Sequence, residues 1–553
     1  MTPFWLLDMF AFWCCLLFYS IVTAHCLRRS FLLLEKDFSY ENRFYMKKTR
    51  ILYIDSDKIR KRVKNILAFG DVLNKIMEEH KISKSSFCEK LGISRSLLYR
   101  YLSEKSIMPF ETKELMKREF MMTPAERSTL DGAYEASLIG HDRHLSRMLI
   151  DEMVNSGSME EGILSIPDIM DIDYVKTVTS KQLSVLYGEQ NVRMVLRYIL
   201  SCVGQSGKKE DVFVTAQPDN NVVMSELSLF LSSPLNNCVI YHIFKLYRNE
   251  TLNMATPLSA NLALMQNMIK FIFPIETNSR YHAAYYYEQY MGNNPTAFAD
   301  SGRVITSSFA LLILADCKQA ILINDPEMIA IYSNQLAYYH SNSTPFTQLV
   351  NLPSKSSVAL LKKVNLCGEA NFFPEPVLSF TRTASFSNNK VDRKNTIGYE
   401  ALTALQEKSI QLIQKGKLAY TYFSLDGLQK FIQTGLFGDL NEKFMNPLKS
   451  EHIKLYLGEI ILYATKHENV IPLLIQNNAL RLFKGFSVRI YYDSQIWMCR
   501  KDSGPDSLVI LDESSLVKAL SDYFFNVYPQ KFPPDAKANA MQAMQAAIDA
   551  IAT

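Results

Sequence analysis

At 553 residues the chain is too long for one ordinary domain and suggests about three. Hydrophobic content of 48% with 21% charged residues excludes a disordered chain and supplies ample core. The net charge is only +4, but Met46–Phe120 holds 18 Lys and Arg against 10 Asp and Glu, a net +8 that leaves the rest at −4. A basic amino-terminal module on a mildly acidic body fits a nucleic-acid-binding head. For Lys58 to Lys64 a solvated charged face is the plainer alternative.

Residues 1–45 form a hydrophobic extension in which Met9–Ala24 is uncharged, and Phe4–Leu27 has the length to span a bilayer with Asp8 as its blemish. Arg28, Arg29 and Lys36 follow it and no Lys or Arg precedes it, so a spanning segment would leave the larger part in the cytoplasm. The competing reading starts the protein at Met46 and gives the extension no role. A membrane partner is expected only if residues 4–27 are translated and inserted. Either way the working part is expected to be cytoplasmic. Arg50–Asp55 is strand-like and resembles the opening of a phosphoacceptor receiver domain, but the elements after Ser56–Leu67 leave no room for the remainder.

Asp71–Lys105 then reads as two short helices and a third set tightly against the second. Asp71–His80 places Val72, Leu73 and Ile76 on one face, and a helix from Ser83 or Lys84 carries Phe87, Cys88 and Leu91 inward. Gly92 closes that helix, because a left-handed residue costs glycine no steric penalty. Ser94 caps the next, Arg95–Ser103, in which Leu97, Leu98 and Tyr101 share an apolar face while Ser96, Tyr99 and Arg100 point away. This is the layout of a helix-turn-helix, whose second helix enters the DNA major groove.

The run Phe87-Cys88-Glu89-Lys90-Leu91-Gly92-Ile93-Ser94-Arg95-Ser96-Leu97-Leu98 resembles the repressor-type helix-turn-helix of the bacterial xenobiotic-response-element family. Phe87-Cys88 stands where that family usually shows Leu-Ala, and Leu102 where it often has Glu. Thr123-Pro124-Ala125-Glu126-Arg127 and the helix to Gly140 are similar to a segment that often follows this module in longer Firmicutes regulators. The resemblance covers a small share of the chain. It implies a transcriptional regulator whose Arg95, Ser96, Tyr99 and Arg100 face base edges of double-stranded DNA. Lys84, Lys90, Ser94 and Lys105 would hold phosphates and set the register. One module makes few base contacts, so a homodimer on two half-sites is expected.

Beyond the third helix, Pro109–Phe120 reads as a fourth, and Thr123 caps a fifth with Glu126 at capping-box spacing. His141 and His144 lie within one turn of each other, but no third metal ligand is visible and a solvated helix face is expected. The polar passage between residues 150 and 176 marks a domain boundary. We therefore divide the chain into the helix-turn-helix domain 46–125, linker helices 126–160, a first body half 161–345, a hinge 346–394, and a second half 395–553 with a terminal helix. The fold class expected is an all-α helix-turn-helix domain followed by a large α/β (α+β) body.

In the first half, Lys181–Cys202 reads as helix, Asp211–Ala216 as strand, Asn221–Leu231 as helix, Cys238–Leu246 as strand and Leu258–Phe271 as helix. Strand-like runs follow at Tyr281–Tyr287, Val304–Ser308, Leu311–Ala315 and Ala320–Asn324, then a helix Glu327–His340 capped by Asp325. Ser341–Lys394 reads as loop with a strand near Val377–Thr381. The second half echoes the first: helix Ser450–Lys466, strands at Val470–Ile475, Ser487–Tyr492 and Gln495–Cys499, and Leu508–Glu513 against Ile321–Pro326, each a strand running into an Asp cap. This suggests a duplicated unit of about 190 residues, although strand–Asp–helix joints occur in many folds.

No phosphate loop, nucleophile elbow, metal helix or dinucleotide fingerprint appears, so neither enzymatic activity nor a cofactor is expected. His242-Ile-Phe-Lys245 starts like a phospholipase-type motif but lacks the Asp. The nine cysteines form no CxxC pair and read as thiols in a reducing compartment. Tyr281, Tyr285–Tyr287 and Tyr290, with Tyr491, Tyr492 and Trp497, serve either core packing or a pocket for a small-molecule or peptide effector. A body that binds signals or scaffolds proteins, with the helix-turn-helix recognising protein, is the competing function.

Overall fold

The structure is a computed structural model. It describes residues 68–155, 171–205, 209–232, 238–248, 257–275, 280–289, 302–314, 317–351, 367–378, 406–437, 447–476, 480, 483, 486–500 and 507–552. The hydrophobic extension, the Met46 start, the Arg50–Asp55 run and Tyr290 lie outside the described residues.

Among the described residues six helices come first: α1 Phe69–Glu79, α2 Lys84–Leu91, α3 Arg95–Leu102, α4 Phe110–Glu119, α5 Pro124–Ile139 and α6 His141–Asn155. Their ends follow from side-chain chemistry. Ser83 accepts from the Ser86 N–H, Ser94 from the Leu97 N–H, and Gly92 adopts φ +62° after α2. At α5, Thr123 and Glu126 satisfy each other's backbone N–H in a full capping box. Val72, Leu73, Ile76, Phe87, Cys88, Leu91, Leu98 and Tyr101 are all buried, and α4 and α5 close their core with Met116, Leu130 and Tyr134. Phe87 stacks on Phe120 with ring centroids 5.2 Å apart.

The body holds two mixed sheets. The first contains β1 Leu183–Tyr187, β2 Glu210–Thr215, β3 Cys238–Arg248, β4 Tyr281–Gln289, β5 Arg303–Ile305, β6 Ala310–Ile313, β7 Gln319–Ile323 and the short β8 Thr344–Pro345. The second contains β9 Gln348–Asn351, β10 Glu369–Phe372, β11 Ala419–Phe423, β12 Val470–Leu474, β13 Phe486–Tyr491, β14 Gln495–Arg500 and β15 Ser507–Leu511. Between them run α7 Ile172–Thr179, α8 Glu189–Gln205, α9 Asn221–Ser232, α10 Pro257–Ile275, α11 Pro326–Ser341, α12 Leu425–Thr434, α13 Ser450–Lys466, α14 Ser514–Asp522 and α15 Ala536–Ala552.

The two sheets share one topology. The first runs β1-β7-β6-β5-β2-β3-β4-β8, and the second, read in the same sense, runs β9-β15-β14-β13-β10-β11-β12. In both, three parallel strands (β2, β3, β4; β10, β11, β12) adjoin an antiparallel meander, and the half's first strand closes the far edge. Among the described strands only β8 lacks a counterpart. The described strands of the two halves therefore share one order, and the echo of Ile321–Pro326 in Leu508–Glu513 lies at equivalent strand–helix corners. One detail differs. Asp325 caps α11, but α14 is capped by Glu513, which accepts from the Leu516 N–H at 2.8 Å, while Asp512 accepts from Gln348.

One core spans α6, α8, α9, α10, α14 and both sheets, with Leu196, Ile199, Met265, Tyr422 and Leu520 at its centre. A second lies under α12, α13 and α15, where Phe431, Tyr456, Ile460 and Met544 meet. The terminal helix α15 thus packs within its own chain. After α14 a π-turn, Tyr523–Val527, and a 3-10 turn, Tyr528–Lys531, push Phe524 and Tyr528 against the stacked pair Phe372 and Tyr422.

Several expectations are corrected. Lys181–Cys202 is not one helix: Leu183–Tyr187 is β1, and Gly188 at φ +90° turns the chain into α8. Apolar side chains on both faces of β1 hide its alternation in the sequence. Of the strand expected near Val377–Thr381, Val377 and Leu378 are buried without belonging to a strand and the remainder lies outside the described residues; the strands described between Ser341 and Lys394 are β8, β9 and β10. β10 escapes detection because Glu369 and Asn371 are polar yet fully buried. His144 is buried against α5 rather than solvated, with Nδ1 3.4 Å from Glu135. Of the tyrosine cluster, Tyr285, Tyr491 and Trp497 are buried, Tyr281 packs half-buried against the core, and Tyr287 donates to Glu513. Cys88, Cys238 and Cys499 are buried thiols, whereas Cys367 is exposed.

Candidate nucleic-acid interface

The exposed side of α3 is built by elimination. Leu98 and Tyr101 are drawn into the head core, which forces Arg95, Ser96, Tyr99 and Arg100 to the opposite side. Tyr99 is 55% exposed, a large aromatic held out in solvent. Lys84 at the start of α2 sets its ammonium 4.9 Å from the Tyr99 ring centroid, so cation and ring form one unit. Arg95 donates through Nη2 to the Ser85 hydroxyl, which ties the start of α3 to α2. Ser94 is spent locally: it caps α3 and lies 3.0 Å from the Ser96 hydroxyl. Arg100 and Lys105 are exposed at the other end.

Lys90 stands apart from this group. Its ammonium lies 5.3 Å from the Phe120 centroid, beside α4. The structure thus gathers Lys84, Arg95, Ser96 and Tyr99 at the α2–α3 corner, with Arg100 and Lys105 along α3 and Lys90 to one side. Ser85 was not singled out by sequence reasoning, because a lone serine two residues past a cap carries no signal. Lys117, by contrast, is engaged inside the bundle with Asp131 at 2.6 Å and Glu114 at 2.8 Å, and Lys113 shares both partners.

The position of α3 is fixed from below. A Cβ at Gly70 would lie 2.0 Å from the Leu102 carbonyl oxygen, so α1 and α3 touch backbone to backbone. The Phe69 N–H donates to Glu104, which closes the same contact. Glu126 strengthens the head's other end. Hydrogen bonds from the Thr123 backbone and hydroxyl, with a further one from His80, pull its carboxyl down to about 2.

Behind the head, α5 belongs to the helix-turn-helix core and α6 to the body core, with Gly140 at φ +90° between them. Arg143 and Arg147 of α6 both donate to Asp522 at the end of α14. Asp151, one helical stretch further on, accepts from the Tyr523 hydroxyl and from Lys531. Among the described residues no group of three or more His, Cys, Asp or Glu gathers to hold a metal, and no helix is long and apolar enough to cross a membrane. His242, the motif-like histidine, is fully buried between Tyr281 and the Ala216 carbonyl, a structural setting.

Comparison with known proteins places a Cro/C1-type HTH DNA-binding domain at residues 72–117, the stretch that holds α1 to α4. No curated protein matches the chain. Three solved structures each align at a TM-score of 0.20, too low for any to support a shared fold. The archaeal chromatin protein TrmBL2 is 11% identical, over 48% of this chain and all of its own. Phosphatidylserine synthase from Haemophilus influenzae is 10% identical, over 74% of this chain and 98% of its own. Polyphosphate kinase from Porphyromonas gingivalis is 8% identical, over 81% and 66%.

Proposed function

We propose, from the premise that the amino-terminal region carries a Cro/C1-type DNA-binding domain, that the protein is a sequence-specific transcriptional regulator acting on double-stranded DNA in the cytoplasm. The observation that carries this is the polar face of α3, on which Arg95, Ser96, Tyr99 and Arg100 stand clear of the head core. Arg95 and Arg100 suit bidentate pairing with guanine, and exchange of the Ser85 contact for a base edge would free Arg95 to reach the groove. Lys84 and Lys105 would neutralise phosphates on either side.

The body, in this reading, is not an enzyme. It holds two copies together and responds to a small-molecule or peptide effector. The embedding of α6 in the body core supports a mechanical link: a ligand preferring one arrangement of α6 would shift the head's affinity for DNA. The test is selection of genomic fragments by the full chain beside the Arg95→Ala/Arg100→Ala variant. Enrichment of one half-site pattern by the wild type alone is expected. Equal, salt-insensitive recovery of random fragments by both would remove the reading and turn attention to a protein partner for the head.

A further inference from the structure

We propose that β1 of one chain pairs antiparallel with β1 of a second copy about a two-fold axis at Val185, joining two eight-stranded sheets into one. This rests on the homodimer reading above and names the surface that makes it. β1 ends its sheet: among the described residues its one ladder partner is β7. The Gln182 carbonyl accepts from the Asn324 N–H at 2.8 Å, and the Gly188 N–H donates to the Lys318 carbonyl at 2.6 Å. Hydrogen-bonding residues alternate along an antiparallel ladder, so Ser184 and Leu186 also serve β7. Leu183, Val185 and Tyr187 therefore aim their N–H and C=O groups outward, away from the sheet; the Tyr187 carbonyl there accepts from the Asn191 side-chain amide at 2.7 Å and has a second lone pair for a ladder bond.

Natural edges are blunted by Lys, Pro, bulges or brevity. β8 is two residues long and ends in Pro345, and the edge strand β12 contains Pro472. β1, Leu-Ser-Val-Leu-Tyr, has neither charge nor proline. Its outer side chains are apolar and stand in water: Leu183 is 60%, Val185 48% and Tyr187 63% exposed. Ile321 and Leu312, half-buried, continue the same row across β7 and β6.

The sequence around the axis fits itself. With Val185 opposite its own copy, Leu183 of each chain faces Tyr187 of the other, an aliphatic–aromatic cross-strand pair. Beyond each end of the ladder, exposed Lys181 of one chain approaches the start of α8 in the other, where Glu189, just past the Gly188 turn, already receives Arg193 at 3.0 Å. The charges are thus opposite at both ends of the pairing, and a second copy satisfies this register without any further partner. Such closure is what an isologous two-fold contact requires. Five residues of ladder and three side chains bury less than the roughly 800 Å² per partner of a standard interface. The dimer is consequently concentration-dependent in solution and gains from simultaneous engagement of two half-sites.

Sedimentation of the full chain over a concentration series tests this. Val185→Pro deletes the N–H at the axis and spares the β7 ladder, so the helical signal and melting temperature hold while the dimer disappears. Lys181→Glu sets two pairs of like charges against each other and raises the dissociation constant about tenfold. Lys181→Glu combined with Glu189→Lys restores the pairing, which a purely intramolecular role for either residue would not do. A wild type that stays monomeric to about 100 μM, or a dimer indifferent to all three variants, overturns the proposal. The Arg95→Ala/Arg100→Ala variant, sedimented in parallel, keeps its dimer while losing DNA. Failure of that variant to lose DNA counts against the DNA-reading face alone, and its loss of the dimer counts against the β1 surface.

Discussion

Arg147 and Asp522 are 375 residues apart in sequence and meet in a two-pronged ion pair, Nε to Oδ2 at 2.6 Å and Nη2 to Oδ1 at 3.2 Å. Arg143 joins the same carboxylate. Arg147 also donates to Glu135 of α5 at 3.3 Å, so the same side chain ties the helix that completes the head core to α14 of the body. Burial works to raise the Asp522 carboxyl, but hydrogen bonds from Arg147 and Arg143, and their charges, outweigh it and hold it at about 2.

Asp522→Asn should therefore loosen the junction without unfolding either core. The site is partly solvated, so a cost of about 1–2 kcal/mol is expected, seen as a lower unfolding midpoint and faster proteolysis near Gly140. The stabilisation in the wild type is fully present above the ordinary aspartate value near ~4 and is lost as pH falls through about 2. An Asp522→Asn protein with unchanged midpoint and cleavage would show that apolar packing of α6 alone holds the junction.

His242 predicts a second pH dependence, at milder acidity. Burial outweighs the hydrogen bond to the Ala216 carbonyl and lowers the ring to about 4. The unfolded chain binds a proton near pH ~6.5 that the folded chain refuses, so stability is full above that value and falls as pH drops towards 4. The loss contributed is on the order of 3 kcal/mol by pH 4. Chemical unfolding between pH 7 and 4 measures it, and His242→Phe should flatten the slope.

Gly70→Ala should damage the head selectively. Its Cβ would meet the Leu102 carbonyl at 2.0 Å, and backbone cannot yield as a flexible side chain does. Separation of α1 from α3 should cost about 1–3 kcal/mol and weaken DNA binding, with body stability unchanged. Two-domain calorimetry of the variant separates the two effects.

The lysines and arginines of the head should behave differently under salt. Lys84→Ala and Lys105→Ala should each weaken all DNA sequences alike and reduce the salt slope by about 1. Arg100→Ala should cost about 1–3 kcal/mol on the preferred site and relax choice at one base position. Binding titrations at several salt concentrations, on matched and mismatched sites, distinguish the two.

The head was legible in the sequence because its instructions are local. Ser83, Gly92, Ser94, and Thr123 with Glu126 each fix a helix end within a few residues, and the 3.6-residue spacing of Phe87, Leu91, Leu98 and Tyr101 fixes the faces. Asp325 caps its strand–helix corner in the same way, and α13, which has no side-chain cap, is legible from the helical spacing of Ile453, Tyr456, Leu457, Ile460 and Ala464 alone. What only the tertiary structure decided is non-local. β10 is a strand because β11 and β13 flank it, despite buried Glu369 and Asn371, and β1 is a strand because β7 pairs with it, although its pattern runs unbroken into α8. The engagement of Lys117 with Asp131, of Arg95 with Ser85 and of Arg147 with Asp522 depends on distances set by packing, which no window of sequence contains. Periodicity states which side of an element is apolar. Which neighbour covers that side, and which polar group it brings, is settled only when the whole chain closes on its core.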